Sequence, residues 1–527
     1  MSASYARVGF QRRFMRSMYS NQRVIVFFVI SALILPAIFL YPFNVDTDVW
    51  QWIGSVFVHY GELPYIGAWD NAFPGVTVAH AVAIYFFGNS MIAFRFVEYL
   101  AILITTLVLY RTSRLWLSDT ESLLGCTIFS LFYAYGRWDC MGQRDSFAVL
   151  PIVSSIFFFA KASRQRDSRL GTWFMIAGGC MIGIATVIRP TYALLLVVPV
   201  ITLYGLTNFR AIGFVLVGFL VPIVLAIVPY ALTPGGIQKA YYAAIRYNAD
   251  VYSHIPPSAA RFRWYLYNLL ELRTLMVFVL GTGWIIVYVF SRVRGLPCVV
   301  ASPHERSFLV LFLGVMLFGM FSQQALAAVH FTPFYACFIP VLTKTLSDIT
   351  RPLGRWRPKF IAAVMVAIAS VLYPWRLAAS FVEGPFSIES AYRCFPETFR
   401  LIHEDSFIAS YLTHHTNSDE FIEVIGDPGV LWRTPRRKTN RFQGELQLLL
   451  PSYTGKLTDY QRQWRTELFQ SFTSKTPRFI VISRDVGATE NTLFYNSMSH
   501  TPEIKDFIQR NYVLDTLLDL HVIYVRR

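Results

Sequence analysis

Acidic side chains are concentrated in two short segments near the start of the chain. They are Asp46, Asp48, Glu62 and Asp70 in the first segment, and Asp139 and Asp145 in the second. Carboxylates on separate loops that face the same side can converge on a general-base site or a divalent-metal site. The alternative is a structural role, in which Asp46 or Asp48 is the N-cap of a helix over 49–60. Spacing alone leaves both interpretations open.

Two arginines and one histidine stand at the ends of apolar segments, where a charge is costly unless it reaches water or binds a partner. Arg144 directly precedes Asp145, and Arg189 lies in an Ile-Arg-Pro-Thr sequence between two apolar runs. A guanidinium binds phosphate oxygens two at a time, so a phosphate is the predicted ligand of these arginines. His330 starts a late apolar run, where a structural role explains a lone histidine as well as a phosphate contact does.

The elements that must position these residues are membrane helices. Of the 527 residues, 54% are hydrophobic and only 15% are charged, and the mean hydropathy is +0.43. Soluble domains contain about a quarter charged residues, so the composition indicates a membrane protein. The apolar runs predict an all-α polytopic bundle of about eleven spans. These lie near residues 24–41, 91–110, 121–136, 145–160, 171–188, 191–207, 211–232, 274–290, 307–323, 330–343 and 360–375.

The positive charge of the chain is confined to its membrane part. The net charge is +15, yet residues 376–527 hold 18 basic and 18 acidic side chains, which leaves 29 basic and 14 acidic ones in residues 1–375. Twenty of these 29 fall in the N-terminal tail and in alternate short loops, the pattern of cytosolic segments. This distribution indicates membrane topology and excludes a nucleic-acid surface. It predicts a multi-pass membrane protein with a cytosolic N-terminus and an external C-terminus. The bacterial inner (plasma) membrane is the expected location.

Two long external loops follow from this topology. The first covers 42–90 and is expected to contain helices that lie on the membrane, because its apolar segment 73–88 is too short for a span. Counting that segment as a span would also place the basic run 161–169 outside, against the charge rule. The second external loop covers 233–273.

The last part of the chain, residues 376–527, lacks long apolar runs. Short alternating segments and polar helical stretches predict a separate extracytoplasmic α/β domain after the membrane part, residues 1–375. Cys140 and Cys394 would both be external, which leaves a disulfide between them open.

In the membrane part, nine basic side chains remain on the outer side: Arg95, Arg137, Arg144, Arg189, Lys239, Arg246, Arg261, Arg263 and Arg273.

A series of short motifs follows the first apolar run in a fixed order. They are Asp46-Thr-Asp48, Gly61-Glu-Leu-Pro-Tyr65, Trp69-Asp-Asn-Ala-Phe-Pro74, Phe87-Gly-Asn-Ser90, Arg95 and Gln143-Arg-Asp145. This order resembles the opening of the GT-C membrane glycosyltransferases, which include the protein O-mannosyltransferases and the lipid A aminoarabinose transferases. The resemblance covers roughly residues 24–200 and, in layout only, the rest of the chain.

The resemblance implies roles for the acidic residues. Asp46 matches the catalytic aspartate of the family. Asp70 and Asp145 match the acids that position the acceptor or a metal ion, and Asp48 and Glu62 are expected beside them. A divalent cation such as Mg²⁺, Mn²⁺ or Zn²⁺, held by Asp70 and Asp145, is therefore an open expectation.

One departure from the family changes the expected phosphate site. Many relatives carry a Lys just before the Pro, where this chain has Ala72-Phe73. The grip on the donor phosphate is therefore expected to shift to Arg144 or Arg189. His330 is expected near the same phosphate, as a polar residue at the outer mouth of a late span.

The function implied is that of an inverting glycosyltransferase on the extracytoplasmic face of the bilayer. It would move a hexosyl or pentosyl group from a polyprenyl-phosphate donor to a hydroxyl of a glycan, lipid or protein acceptor. No glycine-rich loop opens a helix, so nothing resembles a nucleotide-sugar site. The alternatives are a transporter or flippase of a lipid-linked glycan, or a polymerase of such glycans. Transporters more often place ionisable residues at the midplane and contain internal repeats.

Overall fold

The computed structural model describes residues 38–39, 41, 43–134, 141–165, 168–204, 208–254, 303–322, 328–350, 396–442, 448, 454–483 and 502–527. Up to residue 350, the described α-helices of six or more residues are α1 Val45–Tyr60, α2 Gly75–Phe87, α3 Met91–Ser113, α4 Asp119–Ala134, α5 Arg144–Arg164, α6 Arg169–Ile188, α7 Phe209–Ala231, α8 Gly236–Tyr241, α9 Pro303–Ser322 and α10 Thr332–Thr350. Short 3₁₀, α and π segments fill Pro190–Leu196, Val197–Pro199 and Val200–Tyr204 between α6 and α7, and a 3₁₀ turn, Ala328–Phe331, precedes α10.

Four of these helices, α3, α5, α6 and α7, are long and apolar enough to cross a membrane. The chain is therefore an integral membrane protein built mainly from helices. The predicted total of about eleven spans stays a prediction. The spans expected near 274–290 and 360–375 and most of 24–41 lie outside the described residues, as do Asp139, Cys140 and Cys394.

Small residues allow α6 and α7 to pack closely. A Cβ atom added to Gly179 of α6 would lie 2.1 Å from the carbonyl oxygen of Val215, and one added to Gly218 of α7 would lie 2.0 Å from that of Ile176. Helix association in lipid depends on such close backbone approach, because lipid offers no hydrophobic driving force between helices. A side chain at either position would separate the two helices.

Helix α1 begins earlier than the sequence suggested. Its N-cap is Asn44, whose side chain accepts from the backbone N–H of Thr47, while the Thr47 hydroxyl accepts from the backbone N–H of Asn44. The prediction that Asp46 or Asp48 caps a helix over 49–60 is therefore wrong: both lie within the first turn. Their negative charges are favourable there, because the helix dipole is positive at this end.

Helix α2, Gly75–Phe87, covers the doubtful segment of the first loop. Its 13 residues extend about 20 Å, less than a hydrocarbon core of about 30 Å. This length is compatible with a juxtamembrane helix, which stays a prediction. Side chains of α2, among them Val76 and Ala83, pack in one apolar cluster with Trp52 and Ile53 of α1.

The C-terminal region forms one five-stranded sheet with helices around it. Its elements are α11 Pro396–His415, β1 Phe421–Ile425, α12 Pro428–Arg433, β2 Arg437–Lys438, α13 Asp459–Lys475, β3 Phe479–Ser483, α14 Pro502–Asn511, β4 Tyr512–Leu517 and β5 His521–Arg526. The strand order is β2-β1-β3-β5-β4; β1 is parallel to β2 and β3, whereas β5 is antiparallel to β3 and β4. The predicted mixture of strands and helices is present; the domain boundary near residue 376 lies outside the described residues.

The C-terminal region packs directly against the first external loop. Ile422 and Val424 of β1 share an apolar cluster with Trp52 and Ile53 of α1. Arg441 donates to the carbonyl oxygen of Tyr65 at 2.8 Å, and its own carbonyl accepts from the N–H of Trp69 at 2.6 Å. The loop that carries the predicted acidic residues is thus held between the membrane helices and the sheet.

Candidate active site

Asp46 and Asp70 lie on the same side of α1, here called the site face. Asp46 is exposed, and Gln143 donates to its carboxylate at 3.2 Å and to Asn44 Oδ1 at 3.0 Å. Trp50, one helical turn after Asp46, donates its indole N–H to Asp70 Oδ2 at 3.0 Å. Residues four apart on a helix lie on one face, so the indole brings the Asp70 loop next to Asp46.

Asp70 is buried, with 5% of its surface exposed. Burial raises the pKa of Asp70 from 3.8 to about 6, even though the backbone N–H of Ala72, the charge of Arg144 and the indole of Trp50 all lower it. The negative charge of Asp46 raises it further. Asp70 therefore changes its charge close to neutral pH, next to an exposed carboxylate and an arginine.

Asp145 forms the second part of the site, where three distant elements meet. It lies at the start of α5 and accepts from the guanidinium of Arg189 at the end of α6. The hydroxyl of Tyr192 donates to Asp145 Oδ1 at 2.5 Å, and Nδ1 of His330 lies 2.9 Å from Oδ2. All three predicted residues, Asp145, Arg189 and His330, are thus brought together, and Tyr192 joins them.

The pairing of Arg189 differs from what its sequence neighbours suggested. No acidic residue adjoins it in the chain, yet Asp145 neutralises it in the fold and His330 Nδ1 lies 2.6 Å from its Nη1. With 7% of its surface exposed, Arg189 is also buried. Because Asp145 already balances the charge of Arg189, a phosphate would have to share this guanidinium with Asp145.

Arg144 has the opposite character. In the described part of the chain, this half-buried side chain makes no hydrogen bond and no ion pair. It is nevertheless close enough for its charge to act on both Asp70 and Asp145. Arg144 is therefore a stronger candidate than Arg189 for binding an anionic ligand, because its donors are not used by other described residues.

Asp48 and Glu62 are not brought to the site face. Asp48 accepts from the indole N–H of Trp432 at 2.6 Å, with Arg433 Nη1 at 3.7 Å, and burial raises its pKa to about 6. Glu62 forms an ion pair with Arg437. Both carboxylates therefore contact the C-terminal region, on what is here called the support face of α1.

A buried ion pair that the sequence analysis did not assign holds the turn before α5. Arg95 and Glu98 of α3, each only 1% exposed, pair at 2.6 Å, and Glu98 Oε1 accepts from the backbone N–H of Gly142 at 2.7 Å. Gly142 has a left-handed backbone conformation with a φ of 71°, which suits glycine. The turn it forms presents Gln143 to Asp46. An Arg and a Glu three residues apart within an apolar helix was the available signal.

A pocket adjoins the Asp145 group. Arg189, Thr191, Tyr192 and His330 line its polar side, and Leu195, Val315, Met316 and Gly319 line the rest. A charged mouth beside an aliphatic wall suits an amphiphile whose head is anionic and whose tail is hydrocarbon.

The metal role predicted for Asp70 and Asp145 remains a prediction. Asp145 already accepts from an arginine and a tyrosine, and Asp70 from an indole and a backbone N–H. Among the described residues, the one group of three His, Cys, Asp or Glu side chains with ligand atoms within 4.8 Å of one another lies elsewhere, at Asp405, Asp427 and His521.

Comparison with known proteins gives a family match over part of the chain and a similar fold. The family described as dolichyl-phosphate-mannose-protein mannosyltransferase matches residues 73–231. ArnT from Cupriavidus metallidurans, in the apo state, superposes with a TM-score of 0.60 at 12% identity, over 95% of this chain and 97% of that one. ArnT from the same organism bound to undecaprenyl phosphate gives 0.56 over the same shares, also at 12% identity. No curated protein sequence matches significantly.

Proposed function

The chain has the fold of the GT-C membrane glycosyltransferases, as its motif order suggested, and from this premise we propose that it transfers a glycosyl group from a polyprenyl-phosphate donor to an acceptor hydroxyl. The reaction takes place on the extracytoplasmic face of a bacterial inner membrane, and the anomeric centre is inverted. The acceptor is a glycan, a lipid or a protein.

One observation carries the proposal: the exposed carboxylate of Asp46 accepts from Gln143, and the next residue, Arg144, is close enough for its charge to act on both Asp70 and Asp145, the partner of Arg189 in the pocket. Asp46 takes the proton of the acceptor hydroxyl as that oxygen bonds to the anomeric carbon. The bond between the anomeric carbon and the phosphate oxygen breaks, and the phosphate leaves with the electron pair. Attack opposite the leaving group inverts the centre.

The charge that develops on the leaving phosphate must be stabilised. Arg144 supplies a guanidinium that makes no hydrogen bond to the described residues, and Arg189 supplies a second one that Asp145, Tyr192 and His330 hold in place. Fixed donors aimed at developing charge need no reorganisation during the reaction. Asp145 is therefore a positioning residue for Arg189.

The lipid part of the donor is supported by the pocket and by a relative. Leu195, Val315 and Met316 offer an aliphatic wall next to the arginines. ArnT, which shares the fold, has been crystallised bound to undecaprenyl phosphate. A polyprenyl phosphate would place its phosphate at Arg144 and Arg189 and its hydrocarbon chain along this wall, so that it matches both the charged and the apolar part of the site. The other partner is the bilayer itself.

The remaining acidic residues receive more limited roles. Asp70, which feels the charges of Asp46 and Arg144, orients the acceptor. A divalent cation such as Mg²⁺, Mn²⁺ or Zn²⁺ would be held by Asp70 and Asp145, and it would supply positive charge for the leaving phosphate. Asp48 and Glu62 act indirectly, because their contacts with Trp432 and Arg437 fix the orientation of α1.

The proposal is tested by incubating the purified protein, reconstituted in vesicles, with a panel of radiolabelled polyprenyl-phosphate sugars and a hydroxyl-bearing acceptor lipid. Consumption of one donor, with release of the polyprenyl phosphate and an inverted product, is expected. Movement of intact donor across the bilayer without consumption would replace the proposal with a flippase. A product that grows by repeated blocks would replace it with a polymerase.

A further inference from the structure

A second cluster of ionisable side chains lies in the C-terminal region, outside the site face. His521, the first residue of β5, is completely buried. Its Nε2 lies 3.1 Å from Asp427 Oδ2, and its Nδ1 lies 3.1 Å from Glu404 Oε1. Asp405 of α11 completes the group, with ligand atoms of Asp405, Asp427 and His521 all within 4.8 Å of one another.

The ring of His521 cannot satisfy both neighbours in its neutral form. A neutral imidazole carries one N–H and one lone pair, whereas ionised carboxylates only accept hydrogen bonds. If Nδ1 donates to Glu404, the lone pair of Nε2 faces an oxygen of Asp427. A positive species must therefore lie between Nε2 and Asp427, and it is either a second proton or a metal ion.

The carboxylates of Asp405 and Asp427 are also brought close to one another in the buried cluster. Asp405 is 1% exposed, and its Oδ1 has no hydrogen-bond partner within the described chain. A Cβ atom added to Gly429 would lie 2.1 Å from Asp405 Oδ2 and 2.9 Å from Asp427 Oδ1. The backbone at Gly429 thus allows both carboxylates to approach one another, although like charges in a buried site repel.

The nearby arginine does not balance this charge. Arg433 Nη1 lies 3.3 Å from Asp405 Oδ2, but it also lies 3.7 Å from Asp48 Oδ1. One guanidinium is therefore shared by two buried carboxylates. Asp427 and Glu404 each accept a backbone N–H, from Gly429 and Leu520, but the imidazole is the one side chain of positive charge in contact with them among the described residues. Buried carboxylates in such excess are stabilised by a bound proton or by a further cation.

We propose that Asp405, Asp427 and Nε2 of His521 bind one divalent cation of the Zn²⁺ or Mn²⁺ class. Mixed imidazole and carboxylate ligands suit these ions. The separation of 3.1 Å between Nε2 and Asp427 Oδ2 is close to that of two ligands each about 2.1 Å from one metal. Metal-bound histidines usually donate their other N–H to a carboxylate, which is the place of Glu404.

The cation has a structural consequence for the active site. Arg433 connects Asp405 to Asp48, and its neighbour Trp432 donates to Asp48 at 2.6 Å. A cation at the cluster relieves the charge on Asp405 and leaves Arg433 available for Asp48. It thereby holds the C-terminal sheet against the support face of α1, behind the helix that carries Asp46.

The test uses the full-length protein in detergent, stripped with EDTA, dialysed, and titrated with Zn²⁺, Mn²⁺, Mg²⁺ or Ca²⁺. Metal content by mass spectrometry should reach one equivalent of Zn²⁺ or Mn²⁺ per chain, and the thermal midpoint should rise with the concentration of that ion. Asp405→Asn and His521→Gln should each weaken binding at least tenfold. Asp506→Asn, an exposed carboxylate of α14, is the matched control and should bind normally.

Two results would overturn the proposal. The first is a stripped protein that binds no equivalent of any of the four ions and whose midpoint responds only to pH, which would assign the positive charge to a proton. The second is an equivalent that Asp70→Asn abolishes while Asp405→Asn retains it, which would place the metal on the site face. Neither result depends on donor consumption, so the proposed transfer reaction is tested separately.

Discussion

The two faces of α1 carry carboxylates only two residues apart, yet their surroundings are opposite. Asp46, on the site face, is exposed and contacts a side-chain amide. Asp48, on the support face, is 7% exposed and accepts from Trp432 of the C-terminal region. Successive helical residues are turned by about 100°, so residues two apart point to nearly opposite sides. Residue type and position in the sequence do not distinguish Asp46 from Asp48. Only their tertiary contacts make Asp46 the candidate base and Asp48 a structural residue.

The largest effect is expected in the second part of the active site, where Asp145 and Arg189 form a buried ion pair. Asp145→Asn leaves the buried guanidinium of Arg189 without its carboxylate. Breaking a buried pair from one side costs about 3–5 kcal/mol, so the thermal midpoint in detergent should fall clearly and donor binding should weaken. A midpoint equal to that of the wild type would show that Arg189 has another anion in solution.

A smaller effect, confined to the donor, is expected from Arg144. Arg144→Ala removes a guanidinium that has no partner in the described chain, so the thermal midpoint should hardly change. Loss of a charged hydrogen bond costs about 1.5–3 kcal/mol, which is about tenfold to a hundredfold in donor affinity. Arg144→Lys should recover only part, because the bidentate fork is lost.

The matched control for Arg144 is Arg246→Ala. Arg246 is also predicted on the outer side, but its exposed side chain pairs with Asp250 at 2.9 Å. Donor affinity, measured by titration calorimetry, should be unchanged in this control. Equal losses in both variants would indicate a general effect of surface charge and would remove Arg144 from the phosphate site.

On the support face, the expected effect is on stability and depends on pH. Burial raises the pKa of Asp48 from 3.8 to about 6, so the folded chain holds this proton more tightly than the unfolded chain. The stability that this group contributes is complete below about pH 4 and is lost as the pH rises through 6. Asp48→Asn should remove on the order of 1–2 kcal/mol of this pH dependence, visible in midpoints measured from pH 4 to 7. Midpoints that follow the wild-type curve would contradict the burial of Asp48.

The smallest effect is expected from Glu62. Its carboxylate forms an ion pair with Arg437, with 37% of the Glu62 side chain exposed. Exposed ion pairs contribute about 0–1 kcal/mol. Glu62→Gln should therefore leave both the midpoint and the transfer rate within about twofold of the wild type. A large loss of transfer would return Glu62 to the site face.

The sequence predicted the parts of the site that depend on local pattern. The apolar runs located α3, α5, α6 and α7, and the order of acidic motifs selected Asp46, Asp70 and Asp145, which lie close to one another or to Arg144 in the structure. The start of α1 also has a local sequence signal, because Asn44 and Thr47 form a capping box.

The remaining features depend on contacts that no local pattern contains. Asp48 meets Trp432 across 384 positions of sequence, and Glu62 meets Arg437 across 375. The different roles of Arg144 and Arg189 likewise depend on a tertiary contact, because Asp145 forms its ion pair with Arg189. The sequence offered both arginines as phosphate ligands; Arg189 has no acidic neighbour along the chain, and the fold supplies one, Asp145, from another helix.

The central claim is that Asp46 is the general base. The most direct measurement is the single-turnover rate of transfer at saturating donor for Asp46→Asn and Asp48→Asn, with donor affinity measured on the same preparations. Asp46→Asn cannot accept a proton, so its rate should fall by roughly two to four decades while donor affinity and the thermal midpoint are kept. Asp48→Asn should transfer at close to the wild-type rate at pH 7. A folded Asp46→Asn protein with a near-normal rate would contradict the assignment and place the base at Asp70 or Asp145.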